Sequence, residues 1–436
     1  MKTVASTVQQ GLCCSCGVCS GICPKNCISF RRKDGLFLPV IDESVCVECG
    51  ICAVVCPGLG HPYEPKETAE ATITGEFLAC FNAWSRDEKT RHVSASGGVI
   101  STLIPELLSQ GRYDGAFCLD SYDYRTQLKT RLYTPDEADN WADSKAPKSR
   151  YLPVSQEETV RYIRKHPDAR LIIVGTSCAL RGIDAAIRKL NRNRENYLLI
   201  GLFCDKVFNY NVLSRFSDSF CPGKELEQLH FKNKESGGWP GDMKFFPENG
   251  GSFYVPLHER ARMKGYFMPE RCLYCVDKLN VLADISLGDN YTETASSPLG
   301  SNSVMLRTKR GIEAWNAVRD LLESVPVGTE EIQEAQGLTI RLQNLYYSDL
   351  TGMELNPGVP REQPAEHLKK AREIALRQLR CGAVYDWDPS VLCRQLKRDN
   401  SPPPLPLRAV RFAGRKLRAL WNKLHRRSYI IQRKHD

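Results

Sequence analysis

Eight of the nineteen cysteines stand at spacings that put thiolates together. Cys13, Cys16, Cys19 and Cys23, followed by Pro24, make one C-x2-C-x2-C-x3-C-P run, and Cys46, Cys49, Cys52 and Cys56, followed by Pro57, make another. Three close cysteines wrap a short loop around one four-iron cube, and the fourth starts a turn that leads away to a second cube. On this spacing Cys13, Cys16, Cys19 and Cys56 hold one [4Fe–4S] cluster, and Cys46, Cys49, Cys52 and Cys23 hold the other. Zinc suits paired C-x2-C knuckles, not a doubled four-cysteine run with prolines. Cys14 and Cys27 fall outside the rhythm and read as small buried hydrophobes.

Four more cysteines sit where chemistry is placed in α/β sheets. Leu171–Val174 reads as a short strand, and Gly175-Thr176-Ser177-Cys178 turns from it into a helix starting near Ala179. Leu198–Phe203 is a strand with Cys204 at its end. Cys272 and Cys275 form a C-x2-C pair, and Ala283–Asp289 is another strand. Turns after such strands lie at the carboxyl edge of a sheet, where ligands bind. The four thiols either converge on a third site or are separate packed cysteines, and spacing alone leaves both open.

Other segments supply the scaffold. Ser94-Ala95-Ser96-Gly97-Gly98 opens a helix with Val99, Ile100, Leu103, Ile104, Leu107 and Leu108 on its apolar positions and Gly111 as its stop. Its start offers N–H groups to an anion or is a plain Ser-rich cap. Ser155-x-x-Glu158 reads as a capping box. "GIEAWNAVRDLLESV" reads as one amphipathic helix. "KDG" reads as a turn between two strands, "GLGHPY" as a short β stretch, and "ENGGSFYV" as a hairpin turn into a strand. No dinucleotide or P-loop glycine motif is present, and the eight histidines show no zinc pattern.

The 436 residues suffice for two or three domains. No apolar run is long enough to span a membrane. The start lacks an apolar secretory core, so a cytoplasmic protein with reduced thiols is expected. Residues 408–436 carry ten Lys/Arg against one Asp, which accounts for the whole formal net charge of +9. The neutral body gives no reason to expect nucleic acid. The tail follows a proline linker and reads as a basic amphipathic helix, either docked on its own core or in peripheral contact with the inner membrane face.

Taken in order, the double cysteine run, "SASGG", "SKAPKSRY", "VGTSCALRGI", "GLFCDK", "FKNKESGGWP", "RCLYCVDKLNVLADISLGD" and "GSNSVMLRT" resemble the family of coenzyme F420 hydrogenase/dehydrogenase beta subunits, in a form with an N-terminal two-cluster ferredoxin. The resemblance covers roughly residues 10–345. It implies a bacterial-type ferredoxin module followed by a mixed α/β flavoprotein body, and the basic helical tail read above lies outside it. The domain bounds expected are 1–65 for the ferredoxin and 76–165 and 166–345 for the two parts of the body, with 346–400 a helical extension and 401–436 the linker and tail beyond the resemblance. It further implies FAD beside a third [4Fe–4S] cluster on Cys178, Cys204, Cys272 and Cys275. Flavin contacts are expected from Ser96, Gly97, Gly98, Ser144, Lys145, Thr176 and Lys232, with Lys145 and Lys148 as catalytic candidates. "TSC" and the long "SKAPKSRY" depart from the family's simpler Thr-Pro-Cys and Ser-Lys-Tyr forms. The function implied is an oxidoreductase passing electrons between the clusters and FAD, with a ferredoxin, a deazaflavin or a partner enzyme at the other end. Ferredoxin-fused relatives also accompany cell-surface polysaccharide genes. The alternatives are an electron-transfer subunit with no substrate of its own and a zinc-stabilised interaction protein.

Overall fold

A computed structural model describes residues 3–401 except positions 61, 120, 145, 249 and 363–365. Thirteen strands, numbered in chain order, organise it: β1 Ile28–Lys33, β2 Leu36–Ile41, β3 Ala79–Ser85, β4 Gly115–Leu119, β5 Thr130–Tyr133, β6 Leu171–Thr176, β7 Tyr197–Leu202, β8 Leu226–Asn233, β9 Asp242–Pro247, β10 Phe253–Val255, β11 Ile285–Asp289, β12 Asn302–Leu306 and β13 Leu322–Pro326. Residues up to Trp387 form one compact unit, and a second begins at Asp388 with helix Pro389–Asn400.

The body is mixed α/β, built on an eight-stranded sheet in the order β13-β3-β12-β11-β7-β6-β4-β5. Its centre, β4-β6-β7-β11, is parallel, and the pairs outside it are antiparallel. Continuous apolar runs such as Leu171-Ile172-Ile173 and Leu198-Leu199-Ile200 are buried on both faces, as parallel strands must be. Helix Val99–Ser109 covers one face and buries Val99, Leu103, Ile104, Leu107 and Leu108. Each contributes about 1.5–3 kcal/mol by leaving water. Helix Ser177–Lys189 packs on the other face through Leu180, Ile183 and Ile187. A separate antiparallel sheet, β10-β9-β8, stands beside the main one.

The N-terminal segment folds around the hairpin β1–β2, with Asp34 and Gly35 both at positive φ in its turn. It is fixed to the body by buried contacts. Gln156 N donates to Cys16 O at 2.7 Å, Ser20 Oγ to Glu157 Oε1 at 2.6 Å, and Gln127 Nε2 to Ser15 O at 2.9 Å. Gly17 (φ 74°) and Gly21 permit this approach: an added Cβ would lie 1.9 Å from Ser155 Oγ and 2.6 Å from Glu157 O respectively.

Several local expectations need correction. Helix Glu157–Lys165 has no Ser155–Glu158 capping box. Ser155 Oγ accepts from Glu157 N, and Gly17 packs on Ser155, so tertiary contact replaces the local cap. Helix Lys309–Asn316 stops early, because Leu322–Pro326 pairs with β3 instead of continuing it. "GLGHPY" holds no strand among its described residues, and Pro57–Leu59 is a 3-10 turn. Helix Ser177–Lys189 starts two residues sooner than read, which places Cys178 inside its first turn. The tail and its linker, 402–436, lie outside the described residues, and so does Lys145.

Candidate functional site

The carboxyl ends of β6, β7 and β11 stand side by side, with Thr176 paired to Leu202 and Leu202 to Leu287. Cys178 follows β6, Cys204 follows β7, and Asp289 ends β11. The short helix Glu270–Leu273 brings Cys272, with Cys275 just after it. All four cysteines line one cavity of about 350 Å³. Burial raises the Cys272 thiol to about 12, with Cys178 and Cys275 adding to it, and Cys204 is raised by burial and by the same three thiols. Cys178 moves the other way, to about 6. A hydrogen bond from Cys14 is the main cause, and Thr176, Arg271 and the Ala179 N–H assist.

Two arginines face this thiol group. Arg341 bonds Cys204 O and Asp205 Oδ1, both at 3.4 Å, and Arg271 Nε donates to Gly58 O at 3.1 Å. Arg341 Nε and Arg271 Nη1 are buried with no hydrogen-bond partner among the described residues. Buried donors of this kind normally have one. Four thiols and two unsatisfied cationic donors around a common space suit an anionic iron–sulfur group. The sequence pattern does not single out either arginine, although "RCLYC" carries Arg271 beside the first thiol of its pair.

The N-terminal thiols make two further groups. Cys13, Cys16 and Cys19 are raised by burial and by each other or Cys56, with Cys13 at about 12. Ser15 N points at Cys13 Sγ, 3.3 Å away. Cys23, Cys46, Cys49 and Cys52 surround a recess nearer the surface. Against the effect of burial, the N–H groups of Cys27, Lys25 and Asn26 draw the Cys23 thiol downward. The three groups adjoin in series. Cys52 is a neighbour of Cys19, and Cys13 and Cys16 are neighbours of Cys178. Cys14 and Cys27 are therefore more than packed hydrophobes: Cys14, whose Sγ donates to Leu12 O at 3.9 Å, interacts electrostatically with Cys178, and Cys27 Sγ lies 3.4 Å from Cys23 Sγ. Among the described residues, no three His, Cys, Asp or Glu side chains meet as closely as a single ion requires.

Beyond the thiols the cavity is basic. Ser96, Gly98, Lys148, Thr176 and Lys232 line it, as do Arg150, Lys206 and Lys264. Lys148 is lowered to about 8 by burial, with Arg150 and Lys244 adding repulsion and Glu235 opposing it. Lys232, buried on β8, is ion-paired to Asp289 and held charged by it despite burial. Lys234 is lowered to about 7 by burial and by Lys148 and Arg91, and donates to Ser96 O at 2.7 Å. Two expected contacts do not reach the cavity lining. Gly97 packs on Ala83 O and Asn302 Oδ1, and Ser144 Oγ is spent on Trp141 O at 2.7 Å. Ser96 does line it, but its hydroxyl donates to Ser301 O at 2.7 Å.

Fold and site thus define an α/β protein with three adjoining thiol groups and a basic cavity at its parallel strand ends. Residues 80–155 match the N-terminal family model for the coenzyme F420 hydrogenase/dehydrogenase beta subunit, and residues 168–328 match the model for its C terminus. The chain belongs to this family of coenzyme F420 hydrogenase/dehydrogenase beta subunits, whose members are parts of oxidoreductases. It is 23% identical over 326 residues to a subunit of the F(420)H(2) dehydrogenase in Methanosarcina mazei, covering 73% of this chain and 86% of that one. It is 27% identical to the coenzyme F420 hydrogenase subunit beta of Methanosarcina barkeri, covering 63% and 89%. The coenzyme F420-dependent sulfite reductase of Methanocaldococcus jannaschii is 24% identical over 77% of this chain and 50% of its own length. A chain from the xenon-derivatised F420-reducing [NiFe] hydrogenase complex of M. barkeri aligns with a TM-score of 0.48 at 22% identity, covering 66% of this chain and 97% of that one.

Proposed function

We propose that the protein is an iron–sulfur flavoprotein oxidoreductase in which three [4Fe–4S] clusters lead to FAD in the cavity. Cys13, Cys16, Cys19 and Cys56 would hold one cluster, Cys46, Cys49, Cys52 and Cys23 the second, and Cys178, Cys204, Cys272 and Cys275 the third. The observation that carries this reading is the serial arrangement of three thiol groups, the last of which opens into a basic cavity. When bound, such cofactors let single electrons be exchanged for the two-electron chemistry of a flavin.

The chain's own residues set the conditions. Arg271 and Arg341 offset the negative charge of the inner thiolate group, and burial excludes water from it. Lys148 offers a cation beside the ring site, where reduction builds negative charge. Lys232 and Asp289 tie the β8 edge to the end of β11 and so fix the cavity rim. A cavity of about 350 Å³ falls within the usual range for organic ligands. The relatives' names support a deazaflavin coenzyme as the two-electron partner.

Anaerobic purification with iron, sulfide and flavin analysis tests the reading. About twelve irons and bound FAD per chain are expected. Clusters without flavin would favour an electron-transfer subunit that feeds a partner enzyme, and a colourless zinc protein would refute both.

A further inference from the structure

The outermost thiol group ends at the surface. Cys49 is exposed, and Val45, Val47 and Val54 are 43%, 58% and 63% exposed on the loop and helix that carry these thiols. Single exposed valines are ordinary. Three within ten residues, on the segment that carries an exposed thiol, leave more apolar surface uncovered there than a scattered valine does. The recess among these thiols is only about 20 Å³, room for about one water. The inner cavity is some 350 Å³. A small organic reactant therefore has space at the inner end alone, and the outer end is suited to a surface. Asp42, Glu43 and Glu48 are exposed on the same loop; Lys25 lines the recess with Glu48, and Arg164 reaches Cys23 O and Asn26 Oδ1 beside it. Carboxylates outnumber the basic groups on this loop's rim.

We propose that this face docks a one-electron carrier protein whose own redox centre is ringed by lysine or arginine. The inference rests on the reading that the outer thiols hold a cluster. The valines provide the apolar contact around Cys49, and the carboxylates steer the carrier and set its orientation. Each encounter moves one electron. An oxidised carrier gains one and the chain loses one, or the reverse with a reduced carrier, and no bond or proton changes hands. Such encounters bury less than about 1,200 Å² and are short-lived.

The test uses the full chain, reduced anaerobically with dithionite and mixed with a basic c-type cytochrome or an acidic two-cluster ferredoxin in stopped flow. The wild type should react faster with the cytochrome, and the rate should fall as salt is raised. Val47→Lys with Val54→Lys should slow the cytochrome reaction about tenfold or more, leaving the cluster signals in electron paramagnetic resonance and oxidation by a small neutral quinone unchanged. Glu43→Lys with Glu48→Lys should remove the salt dependence. Unchanged cytochrome rates in both variants, with cluster signals intact, would overturn the docking face. A wild-type protein without an outer-cluster signal would instead overturn the cluster reading beneath it.

Discussion

Lys148 and Cys178 have opposite problems at the same cavity. Burial strips Lys148 of solvation and lowers it to about 8, so it is charged at pH 7 and neutral at pH 9. An anionic ring or phosphate bound beside it should therefore begin to lose affinity as pH rises past about 8. Equilibrium titration of FAD into the flavin-stripped chain checks this. Lys148→Ala should remove that step, whereas Lys148→Arg should keep tight binding to higher pH. The sign for stability is reversed: the folded state holds this proton less well than the unfolded chain, so Lys148 destabilises the fold below pH 8 and ceases to do so as pH rises through the unfolded-state value. Cys178 is drawn downward by Cys14, Thr176, Arg271 and the Ala179 N–H, in a place where burial alone would raise it. Cys178→Ser or Cys272→Ser should lower the iron content from about twelve to about eight per chain, with the two N-terminal cluster signals retained.

The strand ends and the N-terminal loop have to be held in register for three thiol groups to adjoin. Gly17 and Gly21 let that loop press against residues 155–157. Gly17→Ala places a Cβ on Ser155 Oγ and forces alanine to a left-handed φ, so it should cost about 1–3 kcal/mol. Chemical denaturation measures this, and electron transfer from the outer thiol group to the cavity should slow together with it. Much of this arrangement is legible in the sequence: the doubled cysteine runs, the strands that lead into Cys178 and Cys204, and the helix after Gly98 all come from local pattern. The remainder depends on distant partners. Ser155 forms no capping box because Gly17 occupies its other side, and residues 322–326 leave the amphipathic pattern because β3 offers an edge to pair with. Arg341 comes from 137 residues beyond Cys204 to reach its carbonyl, and no spacing rule reports such an approach. Cys14 looks like a packed hydrophobe in the sequence for the same reason, since its neighbour Cys178 is remote along the chain.

Across the chain, the three thiol groups neighbour one another between the exposed Cys49 and the cavity at the parallel strand ends. No helix among the described residues is long and apolar enough to cross a membrane. The family supplies the redox role, and the proposed order of clusters would put a protein carrier at the outer thiols and an organic partner at the cavity. Both ends are needed for this account, because an outer relay without the inner thiol group would leave the cavity unconnected. The most direct measurement is an anaerobic redox titration of the full chain followed by electron paramagnetic resonance, with iron and flavin quantified on the same sample. The account predicts about twelve irons, three distinguishable cluster signals and one FAD, with the third signal lost in Cys272→Ser. Two signals only, unaffected by that substitution, would contradict it.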